Sequence, residues 1–255
     1  MRFSPKTSIP ILAICLFIIC LLSLPLNLFA QDCSSNLLID NNCDGVQKIL
    51  VLGDSFVAGT GDTNLKTLKG YIGRTQKALP KFEITAFGVK GQQTGQLLTS
   101  IKEALAQASG SLYNSLLETD VVLLDLGRND RWLFGLPKDA LKNLQTIRSL
   151  IRKEVKTISG KSPVVVLAVL MLPNRGAQGP WVKELNTLIF KSHSTTNPAN
   201  LRFDLVSKRL IGADQIHPTS RGYVELSKVF VKYIKKNLPS LVRKQSDSDV
   251  VTEVL

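Results

Sequence analysis

A chain of 255 residues with a formal net charge of +12 is long enough for one substantial domain and short for two. No aromatic-rich nucleic-acid motif accompanies the basic balance, so DNA and RNA are excluded as expected partners and an anionic envelope or membrane surface is favoured. A monomer is expected.

Arg2 and Lys6 make a basic start, and Ile9 to Leu26 is apolar apart from Ser23 and two prolines, the pattern of an export signal. Ala30 is a candidate residue before a cleavage point, although Leu28 is larger than the small residue expected there. The apolar run is about eighteen residues long, near the lower limit for crossing a bilayer, so residues 1–30 read as a signal peptide or an uncleaved signal anchor. Either reading places the protein outside the cytoplasm, in a periplasm or the extracellular space. Cys33 follows Asp32 and Cys15 lies within the apolar run, so no lipid-modified cysteine is expected. Cys33 and Cys43 both precede the first strand, in a linker over 31–47. An oxidising compartment favours a disulfide between them, and a cytosolic location would leave them as surface thiols.

The main domain is read over 48–240. Lys48 to Leu52 is a compact apolar run ending at Gly53, as in a buried strand that feeds a loop. A glycine-rich segment from Gly59 to Gly70 leads to a modest helix over Tyr71 to Leu79, and Phe82 to Phe87 is extended and closed by Gly88. Gln92 to Ala108 carries Leu97, Leu98, Ile101 and Leu105 at helical spacing, and Val121 to Leu126 reads as a central strand. Pro137 opens a helix whose apolar face is Leu141, Leu144, Ile147, Ile151, Val155 and Ile158, with Gly160 as its stop. Val164 to Leu170 is a further strand, Trp181 to Phe190 a helix, Leu201 to Leu205 a last strand and Ser220 to Leu238 a closing helix. Residues 241–255 are expected to be a mobile tail, charged and serine-rich from Lys244 onward. Strands separated by helices imply a parallel sheet with right-handed crossovers, a three-layer α/β/α sandwich of flavodoxin-like type.

Such sheets carry reactive groups on the loops at the carboxyl ends of their strands. Ser55 follows the first strand directly and is the candidate nucleophile, although a Gly-Asp-Ser triplet alone is often only a turn. Its hydroxyl needs a base, and only two histidines occur. His193 sits among Lys191, Ser192 and Ser194 and reads as a solvated surface residue. His217 lies three residues after Asp214, close enough for the carboxylate to orient the imidazole while the ring takes the Ser55 proton. Donors for a developing oxyanion are available from Gly91, Asn129 and the backbone of Ser55. The chain lacks a clustered set of metal ligands.

Together these loops resemble the SGNH, or GDSL-like, hydrolase superfamily. Gly53-Asp54-Ser55-Phe56 matches its first block, Gly91 with Gln92, Gln93 and Thr94 its second, Gly127-Arg128-Asn129-Asp130 its third, and Asp214 to Pro218 its fifth. Two positions depart from the pattern: Ala86 stands where many relatives carry Asn, and Gln92 where many carry Asp. The short loops, with Val166 to Pro173 and Asn174, look like the exported thioesterase, lysophospholipase and arylesterase members. The resemblance implies hydrolysis of carboxylic esters by Ser55, His217 and Asp214, with Ser55, Gly91 and Asn129 as the oxyanion hole, water as second substrate and no cofactor. Two other readings use the same chain: an envelope polysaccharide O-acetylesterase or acyltransferase, or a non-catalytic, membrane-apposed binding domain.

Overall fold

The computed structural model describes residues 40–42, 44–64, 69–133, 135–157, 160–192 and 201–251. The expected signal or anchor, the Cys33–Cys43 pair and His193 all lie outside these residues. Among the described residues no helix is long and apolar enough to cross a membrane.

Five strands form one parallel sheet in the order β2-β1-β3-β4-β5, with β1 over Gln47–Gly53, β2 over Phe82–Gly88, β3 over Val121–Asp125, β4 over Val164–Val169 and β5 over Leu201–Arg202. Every residue of β3 and β4 is buried, whereas the edge strand β2 is half-exposed along its length. That difference explains the sequence: strands covered on both faces read as unbroken Val and Leu runs, and an edge strand can carry Glu83 and Thr85.

Helices α1 (Gly70–Ala78) and α6 (Ser220–Val251) pack together, while α2 (Thr94–Gln107), α4 (Pro137–Glu154) and α5 (Gln178–Lys191) form a second packed set. A short helix, α3 (Ser111–Glu118), joins α2 to β3. The expected three-layer α/β/α sandwich with a parallel, flavodoxin-like sheet is therefore what the chain forms. In α4, Leu144, Ile147 and Ile151 are fully buried, and each such side chain contributes about 1.5–3 kcal/mol by leaving water.

Besides the unexpected α3, three elements have other bounds than the sequence reading gives. Helix α4 ends at Glu154, because Val155 donates to the Ile151 carbonyl and then turns to an extended conformation. Val155 is buried even so, which is why its apolar period continues past the helix end. The last strand is only Leu201–Arg202; Phe203 to Leu205 turns into a 3-10 helix that buries the Phe203 ring against Tyr71 and Phe230. Helix α6 continues beyond Lys244 to Val251.

Register sets up the site. Gly53 on β1 pairs with Gly88 on β2 and with Asp125 on β3, so three loops leave the sheet from one row. Ser55, Gly91 and Asn129 follow that row within a few residues and emerge at the same edge.

Candidate active site

A side chain at Gly53 would press its Cβ into the Asp125 carbonyl oxygen and the Val57 side chain. Only glycine lets the first loop turn this close to β3. Beyond it Asp54 points inward and Ser55 outward. The Asp54 Oδ1 accepts the Phe56 N–H at 2.9 Å, which tightens the turn. Ser55 is 7 % exposed.

The Ser55 Oγ lies 2.8 Å from His217 Nε2, and His217 Nδ1 lies 2.6 Å from Asp214 Oδ2. The second Asp214 oxygen accepts the N–H groups of Ile216 and His217, each at 2.9 Å. Burial pushes the Asp214 carboxyl up, but the Ile216 N–H, the His217 ring and the His217 N–H outweigh it and hold the group below the usual carboxylate range. An ionised Asp214 favours the Nδ1–H tautomer of His217, leaving Nε2 to accept the serine proton. The loop is itself fixed: Ile211 bridges Pro218, Gly212 donates to the His217 carbonyl at 2.7 Å, and Gln215 adopts a positive φ of 64°.

On the facing side, Asn129 Nδ2 donates to the Gln92 carbonyl at 3.1 Å, which orients the amide and leaves its second N–H to serve an incoming oxygen. Asp130 accepts from the Thr94 N–H at 3.1 Å and from the Thr94 hydroxyl, placing a carboxylate at the start of α2, where a helix favours negative charge. These bonds join the Gly91 and Asn129 loops. Gly91 itself has φ +76° and open space where a Cβ would stand. Among the described residues neither the Gly91 nor the Ser55 N–H donates to a protein acceptor. All five sequence candidates, Ser55, Gly91, Asn129, Asp214 and His217, thus stand on the loops at one edge.

Sequence reasoning missed what lies beneath. Arg128 is buried, donating to Asp125 at 2.8 Å and approaching Asp54 at 3.4 Å, with its guanidinium 3.8 Å from the Phe56 ring centre. Tyr71 donates its hydroxyl to the other Asp125 oxygen at 2.9 Å. One cation therefore serves two carboxylates. Burial pushes Asp54 up to about 6, Arg128 opposes that rise and the Asp125 charge adds to it. Burial alone would lower Arg128, but Asp125 and Asp54 raise it. The sequence signal was a charge just after a buried strand, where an unpaired arginine would be costly, with Asp125 three residues before it and Asp54 far off in the chain.

Among the described residues, no cluster of three or more His, Cys, Asp or Glu side chains is placed to hold a metal ion.

A parallel α/β/α sandwich that presents Ser, Gly, Asn and His on adjoining strand-end loops defines the SGNH class. The chain belongs to the GDSL-like lipase/acylhydrolase family, which matches residues 51–224. Among solved structures it is similar to a member of the lipolytic G-D-S-L family from Veillonella parvula, at 15% identity and a TM-score of 0.61, covering 75% of this chain and 100% of that one. It is also similar to a carbohydrate acetylesterase family member from Sinorhizobium meliloti, at 16% identity and a TM-score of 0.59, covering 74% and 98%. An aryl esterase of M. smegmatis shows 16% identity and a TM-score of 0.58, covering 74% and 99%. No curated protein matches the chain in sequence.

Proposed function

We propose that the protein is an exported hydrolase that cleaves carboxylic esters through a Ser55 acyl-enzyme. The observation that carries this reading is the continuous Ser55–His217–Asp214 chain, with links of 2.8 and 2.6 Å. As the Ser55 Oγ bonds to the ester carbonyl carbon, its proton passes to His217 Nε2 and the carbonyl electrons move onto oxygen. The Ser55 and Gly91 N–H groups and the Asn129 amide stabilise that oxyanion. Collapse breaks the bond to the alcohol oxygen, which takes the proton from His217. Water then gives a proton to the same nitrogen as it attacks the acyl carbon, and collapse breaks the bond to Ser55 Oγ, which takes that proton back from His217 as the acid leaves.

The amino-terminal apolar segment supports export, and the net charge of +12 supports residence near an anionic envelope surface. The likeness to a carbohydrate acetylesterase family member makes an acetylated sugar one substrate to try beside fatty-acyl esters.

The test is turnover of short and long p-nitrophenyl esters by the full chain and by Ser55→Ala. We expect the variant to lose at least about 1,000-fold in kcat, and Asp214→Asn to lose about 100- to 10,000-fold through the wrong imidazole tautomer. Equal rates for wild type and Ser55→Ala would overturn the proposal. Adding glycan acceptors to the same assay separates hydrolysis from acyl transfer.

A further inference from the structure

We propose that Arg131, Trp132 and Arg175 form an anion-binding subsite on the rim of the catalytic crevice, which selects esters carrying a carboxylate or phosphate group. Its use in catalysis rests on the hydrolase reading above; its binding of anions does not.

Placement comes from two loops that leave adjacent strands. The Trp132 N–H donates to the Asn129 carbonyl at 3.1 Å, so the 3-10 turn of Asp130–Leu133 begins directly beside the proposed oxyanion donor. Arg175 follows Asn174, whose N–H donates to the Gln215 carbonyl at 2.9 Å on the His217 loop. The two loops meet at the indole: the guanidinium carbons of Arg131 and Arg175 lie 5.5 and 5.1 Å from the Trp132 ring centre. Trp132 is 46% exposed.

The charge balance of this cluster is incomplete. Among the described residues, Arg74, Arg128 and Arg202 each meet a carboxylate, whereas neither Arg131 nor Arg175 has one within 4 Å. The acids around Arg131 in sequence are committed elsewhere, Asp125 to Arg128, Asp130 to Thr94 and Asp139 to the Leu136 N–H at the start of α4. Two guanidinium groups sharing one aromatic ring repel each other, and an anion that bridges them removes the repulsion. Stacking on the indole also restrains both side chains before a ligand arrives, so less rotamer freedom is lost on binding. Each planar fork can then donate paired N–H bonds to a carboxylate or phosphate.

The test uses three aryl acetates that share a leaving-group framework: neutral methyl 4-acetoxybenzoate, the carboxylate 4-acetoxybenzoate and the phosphate 4-acetoxyphenyl phosphate. For the full-length protein at low salt, Arg131→Gln/Arg175→Gln is expected to lower the anionic-to-neutral ratio of kcat/KM about five- to tenfold, mainly through KM. The two anionic arms tell carboxylate from phosphate preference. A second measurement needs no turnover: fluorescence of Ser55→Ala titrated with inorganic phosphate or acetate, with Trp132→Phe assigning the signal between the two tryptophans. Saturable binding that disappears in the arginine double variant supports the subsite. An unchanged substrate ratio together with no anion binding overturns it. Anion binding by a protein that cleaves none of the esters would uphold the subsite and reject the hydrolase reading.

Discussion

Arg128 shows how a single side chain can hold a site it never touches. Its guanidinium lies between Asp54, next to Ser55, and Asp125, the last residue of β3. Removing the cation leaves two buried carboxylates facing each other, the situation in which a broken buried ion pair is strongly destabilising. Arg128→Leu should therefore cost about 3–5 kcal/mol, read as a drop in the thermal midpoint, and adding Asp54→Asn should recover part of that loss. A single variant as stable as wild type would mean the pair contributes nothing. Asn129 belongs to the other kind of residue, half-buried at the loop edge and fixed through Gln92, where the proposed mechanism has it meet the substrate oxygen. Its replacement by Ala should lower kcat about 100- to 1,000-fold with little change in KM, because an oxyanion donor acts mainly in the transition state. A KM effect alone would place Asn129 in ground-state binding instead. Asn129 was readable from its motif, whereas the role of Arg128 depends on residues 74 and 3 positions away that meet it only in the fold.

At the scale of elements, two glycines at the same edge of the sheet, Gly53 in the strand-end row and Gly91 on the loop beyond it, have opposite requirements. Gly53 has no room for a Cβ against the Asp125 carbonyl, so Gly53→Ala must separate β1 from β3 or displace the first loop. Gly91 has room but a φ of +76°, so Gly91→Ala carries only the conformational cost, about 1–2 kcal/mol. Chemical denaturation of the two variants should show Gly53→Ala as the more damaged protein. Equal losses would contradict the close approach of the strands. Both glycines were visible as loop residues in the sequence, but a turn signal does not distinguish lack of space from positive φ. The α3 helix was not anticipated because, of its eight residues, only Leu116 is fully buried, which leaves almost no apolar period to detect. The last strand was read too long because Phe203 is buried by aromatic packing, not by strand pairing. Burial makes a sequence apolar whichever conformation delivers it.

For the molecule as a whole, stability should depend on pH through an acid remote from the catalytic edge. Asp120 precedes β3 and accepts the N–H groups of Asn41 at 2.5 Å and Lys48 at 2.7 Å. Burial pushes its carboxyl from the ordinary 3.8 up to about 7, against those two bonds and with the charges of Asp40 and Asp44 adding to the rise. Between these values the folded chain binds the proton more tightly than the unfolded chain, so this group's contribution falls as pH rises toward 7. Asp120→Asn cannot titrate. Between pH 5 and pH 8 the wild type should lose stability relative to the variant, by about 1–4 kcal/mol, measured as the difference in unfolding free energy. Parallel pH profiles would show that Asp120 is ionised throughout. Asp54 pulls in the same direction, but it is present in both proteins and cancels from the comparison.

The amino-acid order by itself determined the alternation of apolar runs with helical periods, and hence a parallel sheet with its reactive loops at one edge. It also named Ser55 after the first strand, His217 and Asp214 because only two histidines occur and one stands three residues from a carboxylate, and Gly91 and Asn129 because their loops resemble the family's blocks. Tertiary structure decided everything that depends on distance across the chain. Ser55 and His217 are separated by 162 positions yet lie 2.8 Å apart, and the common row of Gly53, Gly88 and Asp125 exists only once three strands have paired in register. The same holds for Arg128 beneath the Ser55 loop and for Arg131 and Arg175 meeting at Trp132. Local periodicity records which face of an element is buried; it carries no information about which charged group another loop will bring to it.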